Sequence, residues 1–394
     1  MSRRRALVIS PVPFRFATRS RKTALALTGQ LPTDYLSLSR AGRNQSWDEA
    51  GRSVIEGINV HQVKTRTPLT TPSRITQIRN LLLSYVPAVL RLAWAALRTP
   101  ASLVIVNNTS FLSIGLLHKR LHRSTLVADI NERPGMIQTK GSLASWFSRH
   151  EMRLLVRAAR QVDAAMVVTT ADVDGVRELG FERVHLVRNV PMRSWRAPYV
   201  EPPCASATGA PLRALAMGTV YEGRGYETLI RAVAVANREQ AVDLTICGPG
   251  RDDYLASLRD LAATEGVADR VRFLERVTPD QVSACYLEHD LGLVLYEGHD
   301  PANDGLSNKL FECVSSGRPV LASDLPENRR FVTETGVGWL ADTSVPALAK
   351  ALVAVARDPE ELVARARHCR DYADTRLNWE SEIEPLLRDV LDRD

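Results

Sequence analysis

Residues that could bind a phosphate-containing ligand gather around the predicted start of one helix. The turn ending at Gly305 predicts a helix that begins near Leu306. The free N–H groups of a helix start, together with the helix dipole, form an anion-binding site. Lys309 lies in the first turn and opposes that dipole, so it gains nothing there as a purely structural residue. We interpret it as a ligand of a diphosphate.

Two carboxylates accompany this lysine. Glu312 follows one turn later and could accept hydrogen bonds from ribose hydroxyls, and Asp304 could accept them from sugar hydroxyls. An ordinary capped helix is the alternative, because Asp304 and Ser307 are both favoured N-cap residue types. The residues alone leave both interpretations open.

The elements that must position these residues alternate between strands and helices. Short β-branched apolar segments such as Ala6–Ser10 and Asp243–Cys247 are separated by longer helical patterns, which predicts parallel sheets covered on both faces. A segment rich in proline separates two such halves. The sequence predicts an α/β fold with two doubly wound domains that face each other across a cleft. The first domain is expected at residues 1–195 and the second at residues 213–375. Residues 196–212 would form the linker between them, and residues 376–394 a terminal helix.

The segment Asp304–Pro319 resembles the signature of the retaining nucleotide-sugar glycosyltransferases of family 4, whose two Rossmann-like domains form the GT-B fold. One large branch of that family reads Asn-Lys-Leu-Phe-Glu, as residues 308–312 do here. The resemblance implies that Glu312 holds the donor ribose and that Gly305 and Leu306 present N–H groups to the diphosphate. Asp304 would touch the transferred sugar, although the family usually carries glutamate there.

A second resemblance starts at Gly218, where Gly-Thr-Val-Tyr-Glu-Gly-Arg-Gly is similar to the strand–loop–helix of the same family. Arg224 occupies the place of a basic residue that binds the donor phosphate. Many members have arginine where this chain has Thr219, so Lys309 could supply the missing contact. Gly248 lies in a Gly-rich turn that the family shares. The predicted donor-binding residues are Gly218, Arg224, Gly248, Gly305, Leu306, Ser307, Lys309 and Glu312.

Acceptor-side residues are expected in the first half. Arg19 begins a helix that resembles the family's first loop and helix, and Asp129 and Glu132 follow a strand where relatives carry acidic or histidine residues. The alternatives are a solvated arginine and loop-capping carboxylates. The predicted catalytic residues are Arg224, Lys309, Asp304 and Asp129.

Charge is distributed unevenly along the chain. Residues 1–200 contain 30 basic and 12 acidic residues, whereas residues 201–394 contain 21 basic and 33 acidic residues. A basic half indicates an anionic partner: an anionic glycan, a lipid-linked acceptor, a small molecule or a membrane surface. Nucleic acid is disfavoured because exposed aromatic residues are not interleaved with the basic ones.

The apolar stretch Leu81–Leu97 is shorter than the run of about 20 residues that a spanning helix needs. It is predicted to lie on an anionic membrane or to be a helix buried against the sheet. The basic start of the chain, up to Phe14, is interpreted as a strand and not a signal peptide. Five scattered cysteines favour a reducing cytoplasm, and the expected location is the cytoplasm or the inner face of the cell membrane.

No metal and no cofactor is expected, and the nucleotide-sugar is a substrate. The eight histidines form no ligand cluster, and Asp172-Val173-Asp174 lies at a predicted helix start where aspartate is a favoured cap. The resemblance implies a hexosyltransferase that retains configuration and acts in polysaccharide or glycoconjugate biosynthesis. A nucleotide-sugar 2-epimerase on the same scaffold and a non-catalytic binding scaffold are the alternatives.

Overall fold

Each half of the chain builds one sheet from short, buried strands. The computed structural model describes residues 4–40, 50–65, 81–131, 152–153, 155–203, 209–296 and 306–392. The first sheet contains β1 (Ala6–Ser10), β2 (Thr33–Arg40), β3 (Gly51–Ile55), β4 (Ile58–Thr65), β5 (Leu103–Asn107), β6 (Thr125–Ile130), β7 (Ala164–Val167) and β8 (Val184–Leu186).

The strand order in this sheet is β3-β4-β2-β1-β5-β6-β7-β8. All described neighbours are parallel except β3 and β4, which form an antiparallel hairpin. Its turn residues Glu56 and Gly57 have φ values of 54° and 77°, the left-handed conformation that two-residue hairpin turns require. β1 and β5 are buried along their whole length because helices cover both faces of the sheet. The order reverses between β1 and β5, because the chain places β2 on one side of β1 and β5 on the other.

The second sheet contains β9 (Leu212–Met217), β10 (Val242–Cys247), β11 (Val271–Leu274), β12 (Leu291–Val294), β13 (Val320–Ser323) and β14 (Gly338–Ala341). Its order is β11-β10-β9-β12-β13-β14, and all neighbours pair in parallel. The order reverses between β9 and β12. In open α/β sheets, ligands bind beside the carboxyl ends of the strands at such a reversal.

Helices fill the connections between the strands. In chain order they are α1 (Thr18–Thr28), α2 (Val86–Leu97), α3 (Leu112–His122), α4 (Thr170–Glu178), α5 (Tyr226–Ala236), α6 (Asp252–Thr264), α7 (Val282–Leu287), α8 (Asn308–Ser315), α9 (Pro326–Thr335), α10 (Val345–Arg357), α11 (Pro359–Thr375) and α12 (Trp379–Leu391). A π-helical turn, Leu81–Tyr85, precedes α2. Within the described ranges, every helix is too short or too polar to cross a lipid bilayer.

The chain divides into two units, and its last helix belongs mainly to the first. Unit 1 comprises Met1–Arg188 and Glu382–Asp394, and unit 2 comprises Asn189–Ser381. Inside unit 1, Glu382 of α12 accepts hydrogen bonds from the backbone and the guanidinium of Arg188. The two parallel-sheet α/β domains predicted from the sequence are confirmed.

Two differences from the sequence predictions concern local structure. The hairpin strand β3 was not expected. The expected helix start near Leu306 is wrong, because α8 begins two residues later, at Asn308.

Candidate active site

The start of α8 is set by a serine cap. Ser307 has extended backbone angles, φ −70° and ψ 138°, and its side chain accepts a hydrogen bond from the N–H of Lys309. Because this cap satisfies one of the free N–H groups of the first turn, the helix begins after Ser307 and not at Leu306. Asp304 and Gly305 lie outside the described residues.

Lys309 extends from the first turn of α8 across the loop that follows β9. A Cβ placed on Gly218 would lie 1.9 Å from Lys309 Cε, so any other residue would force the end of the lysine side chain to move. Gly218 also has φ 131°, a conformation that L side chains rarely adopt. The glycine after the strand therefore determines where the lysine can lie.

Gly248 supports this arrangement from the neighbouring strand. A Cβ at this position would lie 1.9 Å from the carbonyl oxygen of Gly218. Gly218 N–H in turn donates to the carbonyl of Cys247 at 2.8 Å. The two predicted glycines thus hold the loops after β9 and β10 in direct backbone contact.

Arg224 lies between two aromatic rings. Its guanidinium carbon is 4.6 Å from the ring centre of Tyr221 and 4.8 Å from that of Tyr296. Both contacts are within cation–π range. The Nε of Arg224 is buried and finds no hydrogen-bond partner among the residues that the structure describes. The rings fix the position of the guanidinium while leaving donor groups for a ligand.

Tyr296 connects the arginine to the helix start. Its hydroxyl donates to Ser307 Oγ at 2.8 Å, and its ring lies 5.8 Å from the ammonium of Lys309. Tyr296 follows β12 and Gly218 follows β9, the two strands at the reversal of the second sheet. The predicted residues Gly218, Arg224, Ser307 and Lys309 therefore come together at the place where open α/β sheets bind ligands.

The electrostatic environment of Lys309 is unfavourable for its own charge. Burial first and the charge of the nearby Arg224 second lower the pKa of Lys309 to about 8, whereas Glu312 acts in the opposite direction. Glu312 lies one turn further along α8 and is half-buried. An anion beside the ammonium would favour the protonated lysine.

A small cavity lies beneath these side chains. Its volume is about 20 Å³, and Arg224, Tyr296 and Lys309 form part of its wall. That volume holds roughly one water molecule.

The predicted acceptor residues of unit 1 form a buried cluster. Arg19 Nε donates to Asp129 Oδ1 at 2.8 Å, and Asn107 Nδ2 donates to Asp129 Oδ2 at 2.6 Å. Arg19 also donates to the carbonyl of Val187 at 2.7 Å. Burial raises the pKa of Asp129, and the charge of Arg19 opposes this shift.

This geometry changes the interpretation of the pair. The side chain of Asp129 has 0% exposure and that of Arg19 has 6%, so in this structure they contact each other and not the solvent. Such a pair ties the start of α1 to the end of β6. Direct contact of either residue with an acceptor stays a prediction, and Glu132 lies outside the described residues.

The two tyrosines around Arg224 were not predicted from the sequence. Tyr221 is three residues before the arginine and could have been singled out as an aromatic neighbour in the same loop. Tyr296 is 72 positions away from Arg224, and only the strand order brings the two together.

In the part of the chain that the structure describes, no group of three or more His, Cys, Asp or Glu side chains could hold a metal ion. The expectations of no metal and no cofactor stay predictions.

Residues 211–358 match the family model described as Glycosyl transferases group 1. The chain is also 28% identical over 172 residues to a GDP-mannose-dependent alpha-(1-6)-phosphatidylinositol monomannoside mannosyltransferase of Mycobacterium tuberculosis. That match covers 43% of this chain and 44% of the relative, so the chain spans less than half the length of this curated relative.

Solved structures are similar over nearly the whole chain. Sucrose-phosphate synthase from Thermosynechococcus elongatus matches with a TM-score of 0.67 at 15% identity and covers 100% of both chains. HepE from Anabaena, solved in complex with UDP, matches with a TM-score of 0.69 at 14% identity over 98% of this chain and 100% of that one. The chain has the GT-B fold.

Proposed function

We propose that the protein is a glycosyltransferase that transfers a sugar from a nucleotide-sugar to a hydroxyl of a glycan or lipid-linked acceptor. The match of residues 211–358 to the Glycosyl transferases group 1 model supports this proposal. Sequence similarity to a GDP-mannose-dependent phosphatidylinositol monomannoside mannosyltransferase also supports it. Structural similarity to a protein solved in complex with UDP supports it as well.

The observation that carries the proposal is the close approach of two cations at the sheet reversal. The guanidinium of Arg224 and the ammonium of Lys309 both lie against the ring of Tyr296, at 4.8 Å and 5.8 Å from its centre. The charge of Arg224 lowers the pKa of Lys309. Two like charges held this close are costly for a protein that binds no anion there. A diphosphate would neutralise both.

The roles assigned to individual residues follow from this geometry. Lys309 and Arg224 would contact the diphosphate, and the N-terminus of α8 would add its dipole. Gly218 and Gly248 would give the close backbone approach that the donor needs. Glu312 would accept hydrogen bonds from the donor ribose. We keep Asp304 for the transferred sugar, and Gly305 and Leu306 for backbone contacts to the diphosphate.

The proposed reaction is a displacement with retention of configuration. The bond between the acceptor oxygen and the anomeric carbon forms on the same face from which the bond to the phosphate oxygen breaks. The acceptor proton passes to the departing phosphate oxygen. Lys309 and Arg224 would stabilise the negative charge that builds on this leaving group, which is often the largest contribution to catalysis.

Arg19 and Asp129 are better explained as positioning residues than as groups that react. Their ion pair is buried and also holds Asn107 and the carbonyl of Val187. Removing one partner would leave an uncompensated buried charge, which is strongly destabilising. An acceptor-binding role is kept for Glu132 as a prediction.

The proposal is tested by a thermal-shift panel of UDP, GDP, ADP and dTDP sugars, followed by turnover of the donor that binds. A bound donor raises the melting temperature. We expect Lys309→Ala and Glu312→Ala to lower turnover by roughly a hundredfold or more while the fold stays intact. Lys350→Ala, which alters an exposed lysine of α10, is the control.

Near-normal turnover in both site variants would overturn the assignment. Incubation with donor alone separates transfer from epimerisation. A transferase needs an acceptor and releases nucleoside diphosphate, whereas an epimerase makes a new nucleotide-sugar.

A further inference from the structure

One face of α2 exposes a row of large apolar side chains. Leu90 and Trp94, one turn apart, are 64% and 63% exposed. Leu83 and Val86 continue the row towards the preceding turn with exposures of 75% and 39%. Residues spaced three or four apart lie on the same side of a helix. The opposite side is buried against the first sheet and consists of Ala88, Leu92 and Ala96.

The neighbouring helix adds to this surface. α3 packs against α2 and exposes Leu117 and Leu121, which are one turn apart and 49% and 60% exposed. We call the exposed side chains of the two helices the apolar face, made of Leu83, Val86, Leu90, Trp94, Leu117 and Leu121. Large exposed apolar patches are uncommon on soluble monomers and mark interaction sites.

The stretch of sequence that carries the apolar face has charged residues of one sign. The sequence contains no aspartate or glutamate between Glu56 and Asp129. The same stretch contains nine basic residues: Lys64, Arg66, Arg74, Arg79, Arg91, Arg98, Lys119, Arg120 and Arg123. The guanidinium of Arg98 lies over the Trp94 ring at 5.3 Å, so at this point the basic and apolar groups are in contact.

We propose that the apolar face docks on an anionic membrane surface. The apolar side chains would enter the headgroup region, and Arg91 and Arg98, both exposed on or just after α2, would meet lipid phosphates. An apolar row on a stretch whose charged residues are all basic is the pattern of a helix that lies in the membrane interface. Each basic residue near such a surface strengthens binding by about fivefold.

The face lies in unit 1, whereas Lys309 and Arg224 lie in unit 2. The inference therefore goes beyond sugar transfer and can fail without affecting the proposed donor site.

Vesicle flotation of the full chain tests the proposal. We expect binding to vesicles of phosphatidylcholine mixed with phosphatidylglycerol, and much weaker binding to phosphatidylcholine alone. Leu90→Ser with Trp94→Ser should abolish flotation, whereas Val200→Ser, at a residue of unit 2 that is 52% exposed, should not change it. Arg91→Gln with Arg98→Gln should weaken binding to the anionic vesicles by at least tenfold. Arg238→Gln, at an exposed arginine of unit 2, should leave binding unchanged.

Fluorescence quenching by brominated lipids locates the contact. Trp94 should be quenched when the protein binds, and Trp94→Phe should keep binding while losing most of the quenching. Absence of flotation on anionic vesicles would overturn the proposal. Flotation without quenching of Trp94, or equal binding to neutral vesicles, would overturn it as well.

Discussion

At the scale of single residues, the proposed donor site disfavours the charged form of Lys309. Its ammonium is held near Arg224 and partly removed from water, and burial is the main cause of its lowered pKa. The charged form is therefore disfavoured before any ligand binds. A diphosphate would raise the pKa again because an opposite charge stabilises the protonated amine. Ligand binding and protonation of Lys309 are thus expected to be linked.

This linkage predicts a pH dependence of nucleotide binding. The free protein holds the Lys309 proton only below a pKa of about 8. The bound protein holds it to higher pH, so the affinity for UDP or GDP should fall as the pH rises above about 8. Isothermal titration calorimetry between neutral and alkaline pH measures this slope. Phosphate groups are already fully ionised there, since their second pKa is about 6.

Lys309→Arg is the matched control, because arginine stays charged over this range. Whatever affinity the variant keeps should be independent of pH. A constant affinity of the unchanged protein across the same range would contradict the assignment of Lys309 as a diphosphate ligand.

At the scale of elements, the loop after β9 and the start of α8 depend on each other through Gly218. We expect Gly218→Ala to displace the Lys309 side chain, which would lie 1.9 Å from the new methyl group, and to strain a backbone with φ 131°. Nucleotide binding should be lost, with a decrease in stability of about 1–3 kcal/mol. Calorimetry and urea unfolding measure the two effects.

The variant Gly266→Ala distinguishes the effect of backbone strain from the effect of displacing the Lys309 side chain. Gly266 also has a positive φ, 72°, but nothing lies within 4 Å of a Cβ placed there. This control should lose stability and keep nucleotide binding. Equal loss of binding in both variants would show that backbone strain alone explains the result.

Strands that are buried along their length were predictable from the sequence. β1 is a short apolar run in the sequence and has the predicted bounds, Ala6–Ser10, and β10 begins one residue before the predicted Asp243, at Val242. β3 was missed because it lies at the edge of the sheet with four of its five residues exposed, so no burial pattern marks it. Edge strands carry little sequence signal of their own.

The donor-site residues were predictable where the motif is local. Lys309 and Glu312 lie three positions apart on one helix, so their common side could be inferred from spacing. The start of α8 could not, because Asp304 and Ser307 are both good caps and only the structure shows that Ser307 is used. The ion pair between Arg19 and Asp129 joins residues 110 positions apart. No local pattern specifies such a pair.

At the scale of the whole molecule, α12 completes unit 1. Asp389 accepts a hydrogen bond from His185 at 2.9 Å and pairs with Arg183, both at β8. Leu386 of the same helix is fully buried. The stability of β8 should therefore depend on α12.

We predict that Leu386→Ala destabilises unit 1 by about 2–5 kcal/mol, the usual range for a large-to-small change in a core. Hydrogen exchange followed by mass spectrometry should show lost protection in peptides containing β8, with little change in those containing β9 and β10. Arg388→Ala, at a side chain that is 73% exposed, is the control and should have little effect. Unchanged protection of β8 in Leu386→Ala would refute this role of α12.

The position of α12 also has a consequence for how the protein is made. Residues 189–381, which form unit 2, are translated between the two parts of unit 1. Unit 2 is one continuous stretch, whereas β8 is synthesised before α12 and waits for the helix that contacts it. At typical elongation rates of about 5–20 residues per second, that wait is roughly 10–40 s. During this interval β8 is an uncovered sheet edge, the kind of surface on which nascent chains mispair and chaperones act.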